Sequence, residues 1–86
     1  MPYQVSPQFK ITELYGEWSL MDTKQGLYYE LNESGKIILE SLLQSQTDRG
    51  ALLFAVQKLK VEAVDLKSHF ESFKHTLIDK GIIKRE

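Results

Sequence analysis

The stretch "GLYYELNESGKIILESLL", residues 26–43, changes period in its middle. Up to Leu31 the apolar residues alternate, placing Leu27, Tyr29 and Leu31 on one face of a strand and Tyr28 and Glu30 on the other. From Asn32 onward the spacing is helical. Ile37, Ile38, Leu39, Leu42 and Leu43 form a broad apolar face over about 33–44, and Asn32 or Ser34 can accept backbone N–H bonds as the cap. A short strand thus runs directly into a helix, with two adjacent tyrosines and little polar chemistry around them.

Working upstream, "FKITEL" and "EWSLMD" both alternate as strands. Phe9, Ile11 and Glu13 share one side of the first, and Trp18, Leu20 and Asp22 one side of the second. Tyr15-Gly16 reads as the turn between them. "DTKQG" carries turn chemistry into the third strand, with Gly26 where a positive φ is tolerated. Both prolines, Pro2 and Pro7, precede the first strand and would limit an edge.

Downstream, Leu52, Leu53, Val56 and Leu59 recur at helical spacing, with Thr47 or Asp48 as the cap. A third helix over about 64–80 carries Leu66, Phe70, Phe73 and Leu77 on one stripe. Gly81 suits its end, and Ile82-Ile83 form an apolar tail expected to fold back on the core. Three antiparallel strands followed by three helices make an α+β domain with the helices on one sheet face, an order that invites comparison with a winged helix.

The chain of 86 residues reads as one domain, near the lower size limit for a self-sufficient core, with no repeat or low-complexity tract. Its hydrophobic fraction of 42% and charged fraction of 27% are those of an ordinary globular protein. A net charge of -1 argues against a partner selected by bulk electrostatics, and the second half is only mildly basic. The absence of cysteine excludes disulfides, thiolate metal sites and a cysteine nucleophile, and fits a reducing cytoplasm. No stretch approaches the roughly 18–20 apolar residues of a membrane span, so a cytoplasmic protein is expected.

Catalytic chemistry finds little support. His69 and His75 are six helical residues apart, roughly 120° around the helix, and cannot share a metal. Asp65 and His69 can pair at i and i+4, which is more often surface stabilisation than an acid–base dyad. The five glycines show no phosphate-loop spacing. No catalytic residue, metal or cofactor is therefore expected. As a recognition helix for nucleic acid, residues 64–80 would present Lys67, Lys74 and Lys80 interleaved with Asp65, Glu71 and Asp79, largely cancelling the field toward phosphate. The only arginines, Arg49 and Arg85, lie elsewhere. A small winged-helix DNA-binding regulator is the rival from another class.

An interaction surface remains. The edge of a three-stranded sheet offers unpaired N–H and C=O groups that an extended peptide can complete, and the strand at 26–31 suits that use. On the third helix Lys67, Lys74 and Ile78 share one flank of the core stripe. An apolar residue between two amphipathic lysines would make a groove wall, although packing under the C-terminal tail accounts for Ile78 equally well.

In "GLYYELNESGKIILESLL" and the later "FESFKHTLIDKGII", an aromatic-rich helix running into Gly and two apolar residues, the chain resembles the PqqD-like proteins, or RiPP recognition elements, over roughly residues 5–83. The resemblance implies a single peptide-binding domain over 1–86, winged-helix-like. It would bind the leader segment of a ribosomally made precursor peptide as an added strand beside the third strand and against the third helix. The strand contacts would then be Leu27, Tyr28, Tyr29 and Glu30, and the helix contacts Lys67, Phe70, Lys74, Leu77 and Ile78. The partners implied are the leader peptide and a precursor-modifying enzyme. The leader peptidase of a lasso-peptide system is favoured over a radical SAM enzyme of quinone-cofactor biosynthesis. No membrane or nucleic-acid partner is expected, and a homodimer through the same edge stays open.

Overall fold

The computed structural model describes residues 2–85. Strands β1 (Tyr3–Val5), β2 (Phe9–Leu14), β3 (Glu17–Asp22) and β4 (Leu27–Leu31) precede helices α1 (Glu33–Gln44), α2 (Asp48–Leu59) and α3 (Ala63–Asp79), and β5 (Ile83–Arg85) closes the order. The expected sheet is β2-β3-β4, antiparallel throughout, and the expected three helices follow it. Not anticipated is a second, two-stranded sheet in which β1 pairs with β5, Val5 opposite Ile83 and Tyr3 opposite Arg85. The apolar tail does fold back. It does so as a strand, because the N-terminal segment supplies a backbone partner that neither segment reveals by its own pattern.

Local chemistry explains the turns. Tyr15 and Gly16 have φ of 55° and 79°, and two consecutive left-handed residues give a hairpin turn whose twist matches the flanking strands. At the next connection the Asp22 carboxylate accepts from the backbone N–H groups of Lys24 and Gln25, at 3.0 and 3.1 Å, while Gly26 takes φ of 71°. Of the two candidate caps, Asn32 caps α1, its side-chain oxygen accepting from Gly35 N–H at 2.7 Å. Thr47 caps α2 in the same way, accepting from Gly50 N–H at 3.0 Å. At the end of α3, Gly81 N–H donates to the Ile78 carbonyl and Ile82 N–H to the Leu77 carbonyl, so the left-handed Gly81 turns Ile82 and Ile83 inward.

The inner face of the sheet has the expected parity. Leu20, fully buried, sits between Ile11 and Tyr29 in register, with Phe9 and Asp22 buried beside it. Against this face pack Ile37, Ile38, Leu39 and Leu42 of α1 and Leu66, Phe70 and Leu77 of α3. The α2 face departs from expectation. Leu53 is 48% exposed, and the fully buried positions are Ala51 and Ala55, one turn apart. Small residues at that spacing let helix backbones approach closely, an effect that a search for large apolar side chains does not weigh. Among the described residues no helix is long and apolar enough to cross a membrane.

Candidate functional site

The outer edge of β4 is the centre of the candidate site, and the hairpin register determines what it presents. The bond from Thr23 N–H to the Gln8 carbonyl, at 2.8 Å, fixes the alternation in β3: odd-numbered residues exchange bonds with β2, and Trp18, Leu20 and Asp22 with β4. Their partners on β4 are Leu31, Tyr29 and Leu27. The N–H and C=O groups of Tyr28 and Glu30 therefore point away from the sheet, and among the described residues β4 has no strand on that side.

Side chains alternate with the backbone. Leu27, Tyr29 and Leu31 belong to the inner face, whereas Tyr28, 66% exposed, and Glu30 stand on the outer one. The wall beside the edge comes from α3. Lys80 places its Nζ 5.6 Å from the centre of the Tyr29 ring. Phe73 and Leu31 converge over the start of α1, since a Cβ on Gly35 would lie 3.2 Å from Phe73 Cζ and 3.7 Å from Leu31 Cδ2. His69 extends this surface, its ring stacked on Phe73 with centroids 6.2 Å apart. A cleft of about 740 Å³ borders the far end of β4, between the β2–β3 hairpin tip and α1, with Lys36 bonded to the Gly16 carbonyl at 2.8 Å inside it.

The structure thus brings together the four strand residues named from sequence, Leu27, Tyr28, Tyr29 and Glu30, but not the helix residues. Phe70 and Leu77 are 1% and 2% exposed and lie in the core. Lys67, Lys74 and Ile78 fall on the opposite flank of α3, roughly 80° to 120° from Leu66. Lys67 borders α2 with Leu52 and Leu53. The side chains that reach β4 are Phe73 and Lys80, with His69 stacked on Phe73, all roughly 20° to 60° to the other side of Leu66. Helical periodicity separates the two flanks in the sequence, but only the handedness of packing says which one meets the strand.

Lys74 is occupied elsewhere. It is 7% exposed, with Nζ 3.0 Å from both Asp48 Oδ2 and Glu71 Oε2, and Arg85 Nη2 lies 3.8 Å from Asp48 Oδ2. Burial alone would lower the Lys74 pKa, but its bonds to Glu71 and Asp48 outweigh burial and hold it above the usual lysine value. Asp48 is likewise pulled up by burial but held below the ordinary carboxylate value by Lys74, with Tyr3 and Arg85 adding to the effect. Burial, and then the Asp48 carboxylate, raise the Tyr3 hydroxyl. The Arg85 guanidinium sits over the Tyr3 ring at 5.0 Å, so this node joins β1, β5, α2 and α3. Asp65 and His69, which their i, i+4 spacing would allow to pair, do not form an ion pair, and His75 lies 3.9 Å from Glu71. Among the described residues no group of three or more His, Asp or Glu could hold a metal.

Comparison with known proteins places this geometry. Two solved structures share the fold. One is "Lasso peptide synthetase B1 complexed with the leader peptide", 19% identical with a TM-score of 0.82, covering 98% of this chain and 99% of that one. The other is "TbiB1 in Complex with the TbiA(beta) Leader Peptide", 16% identical with a TM-score of 0.80, covering 94% of each chain. A search of curated proteins gave no significant match. The family model for coenzyme PQQ synthesis protein D matches residues 17–83, from the first residue of β3 to the first of β5. That span is most of the chain and includes both β4 and α3, and the chain accordingly belongs to the PqqD family.

Proposed function

We propose that this protein is a non-catalytic adaptor. It captures the leader segment of a ribosomally synthesised precursor as a fourth strand on β4 and delivers it to a maturation enzyme, the leader peptidase of a lasso-peptide system. The observation that carries the proposal is the free edge of β4, whose outward backbone groups at Tyr28 and Glu30 adjoin a side-chain wall from α3. Backbone bonds supply affinity and register, and the inward side chains of the added strand meet Tyr29, Leu31 and Phe73. Its outward side chains stay exposed for the enzyme. The names of both matched structures describe leader-peptide complexes, which supports the lasso-type reading. The family description supports the second reading, a peptide chaperone in quinone-cofactor synthesis.

The test uses a labelled leader from the precursor encoded beside this chain. It should bind without any cofactor, compete with any pairing of two copies through β4, and lose at least tenfold in affinity in the Glu30→Pro variant. Proline at 30 removes an outward donor and leaves the β3–β4 ladder whole. Equal binding of a scrambled leader, or of the proline variant, would overturn the proposal. A lasso and a quinone-cofactor leader measured side by side separate the two readings.

A further inference from the structure

We infer that Lys80 makes the β4 groove selective for strands carrying an acidic side chain two residues from an apolar one. The inference rests on strand addition at β4 and specifies the chemistry of the segment taken there. A residue directly across from Tyr29 on an added strand shares its face, so its side chain lies beside the Tyr29 ring and the Lys80 ammonium 5.6 Å from the centre of that ring. The inward residue two positions along lies across from Leu31 and meets the apolar surface formed by Leu31 and Phe73 over Gly35. Charge and apolar contact are therefore separated by one strand repeat.

The other charges nearby leave this role to Lys80. Lys74 is held by Asp48 and Glu71, Lys67 faces α2, and Lys36 of α1 is bonded to the Gly16 carbonyl over the Trp18 ring. Lys80 is exposed, and among the described residues no carboxylate lies within 4 Å of its nitrogen. Glu30, the nearest acid on β4, stands on the outer face and does not neutralise the inner one. An ammonium flanked by an aromatic ring is partly desolvated once a strand covers it, which strengthens its preference for a carboxylate over a neutral or basic side chain.

The experiment is a selection of displayed random 15-residue peptides on the full chain and on Lys80→Glu, with Glu30→Pro as the edge control and Lys67→Glu as the opposite-flank control. Peptides enriched on the native chain should carry Asp or Glu two positions from Leu, Ile, Val, Phe or Tyr. Those enriched on Lys80→Glu should carry Lys or Arg at the charged position. A native-selected peptide should bind Lys80→Glu roughly fivefold more weakly and regain affinity when its acid is changed to lysine. Lys67→Glu should bind it unchanged, and thermal melts confirm that each variant is folded.

Binders that depend on the β4 edge but show no acid-to-apolar spacing, or the same preference on Lys80→Glu, would overturn the assignment and leave strand addition standing. Binders indifferent to Glu30→Pro would overturn both.

Discussion

Lys74 shows how one residue can look like a ligand contact and be part of the framework. A lysine on the flank of an apolar stripe commonly lays its stem on the protein and its ammonium in water. Here the ammonium is turned inward to Asp48 and Glu71. Removing it takes the 3.0 Å partner from both carboxylates and leaves Asp48 only the more distant Arg85, so Lys74→Ala should cost about 1–3 kcal/mol in urea denaturation. Lys74→Met, which keeps the stem, should cost less, and the difference separates packing from charge. Neither should alter peptide affinity in the folded protein, because the side chain is on the flank away from β4. A large loss of affinity in Lys74→Met with stability intact would return Lys74 to the binding surface.

Among the elements, the β2–β3 hairpin carries a cost that its sequence does not minimise. Tyr15 holds φ of 55° while 95% exposed, a conformation that asparagine and glycine tolerate far better. Tyr15→Asn should raise stability by about 0.5–1 kcal/mol, read as a higher urea midpoint with an unchanged slope. An unchanged or lower midpoint would mean that the aromatic ring compensates through contacts in the folded hairpin. β4 is built on the opposite logic. Its five residues end where Asn32 caps α1, so the strand is short because the helix begins immediately, and the cap anchors the end of the edge that faces the groove.

At the scale of the whole molecule, the node of Tyr3, Asp48, Lys74 and Arg85 ties the β1–β5 sheet to α2 and α3. Its pH dependence follows from the directions of the shifts. Asp48 lies below its ordinary value of 3.8, so the stability it contributes is present above that pH and is lost as pH falls through its lower folded value. Lys74 and Tyr3 lie above 10.5 and 10.0, so their contributions are present below those values and are lost as pH rises through the folded ones. Asp48→Asn should therefore lower the plateau at neutral pH and flatten the acid limb of a plot of urea midpoint against pH. Parallel curves for the two proteins down to pH 2 would remove Asp48 as a source of that limb.

Short-range chemistry was legible in the sequence. Period two against period 3.6, the turn residues at 15–16 and 22–26, the caps and Gly81 all act within a few residues, so β2, β3, β4 and the three helices, with the inward parity of Leu27, Tyr29 and Leu31, follow from the chain alone. That β4 is one of the two edge strands also follows from the order of elements. Contacts between distant segments were not legible. The β1–β5 pairing depends on two short strands meeting across almost the whole chain, and the close approach of α2 depends on two alanines that carry no strong hydropathy signal. The side of α3 that meets β4 is set by how the helix is rotated and crossed against the sheet. That rotation is decided by the burial of Leu66, Phe70 and Leu77 together. It turns Lys74 into the framework and places Phe73 and Lys80 beside the edge.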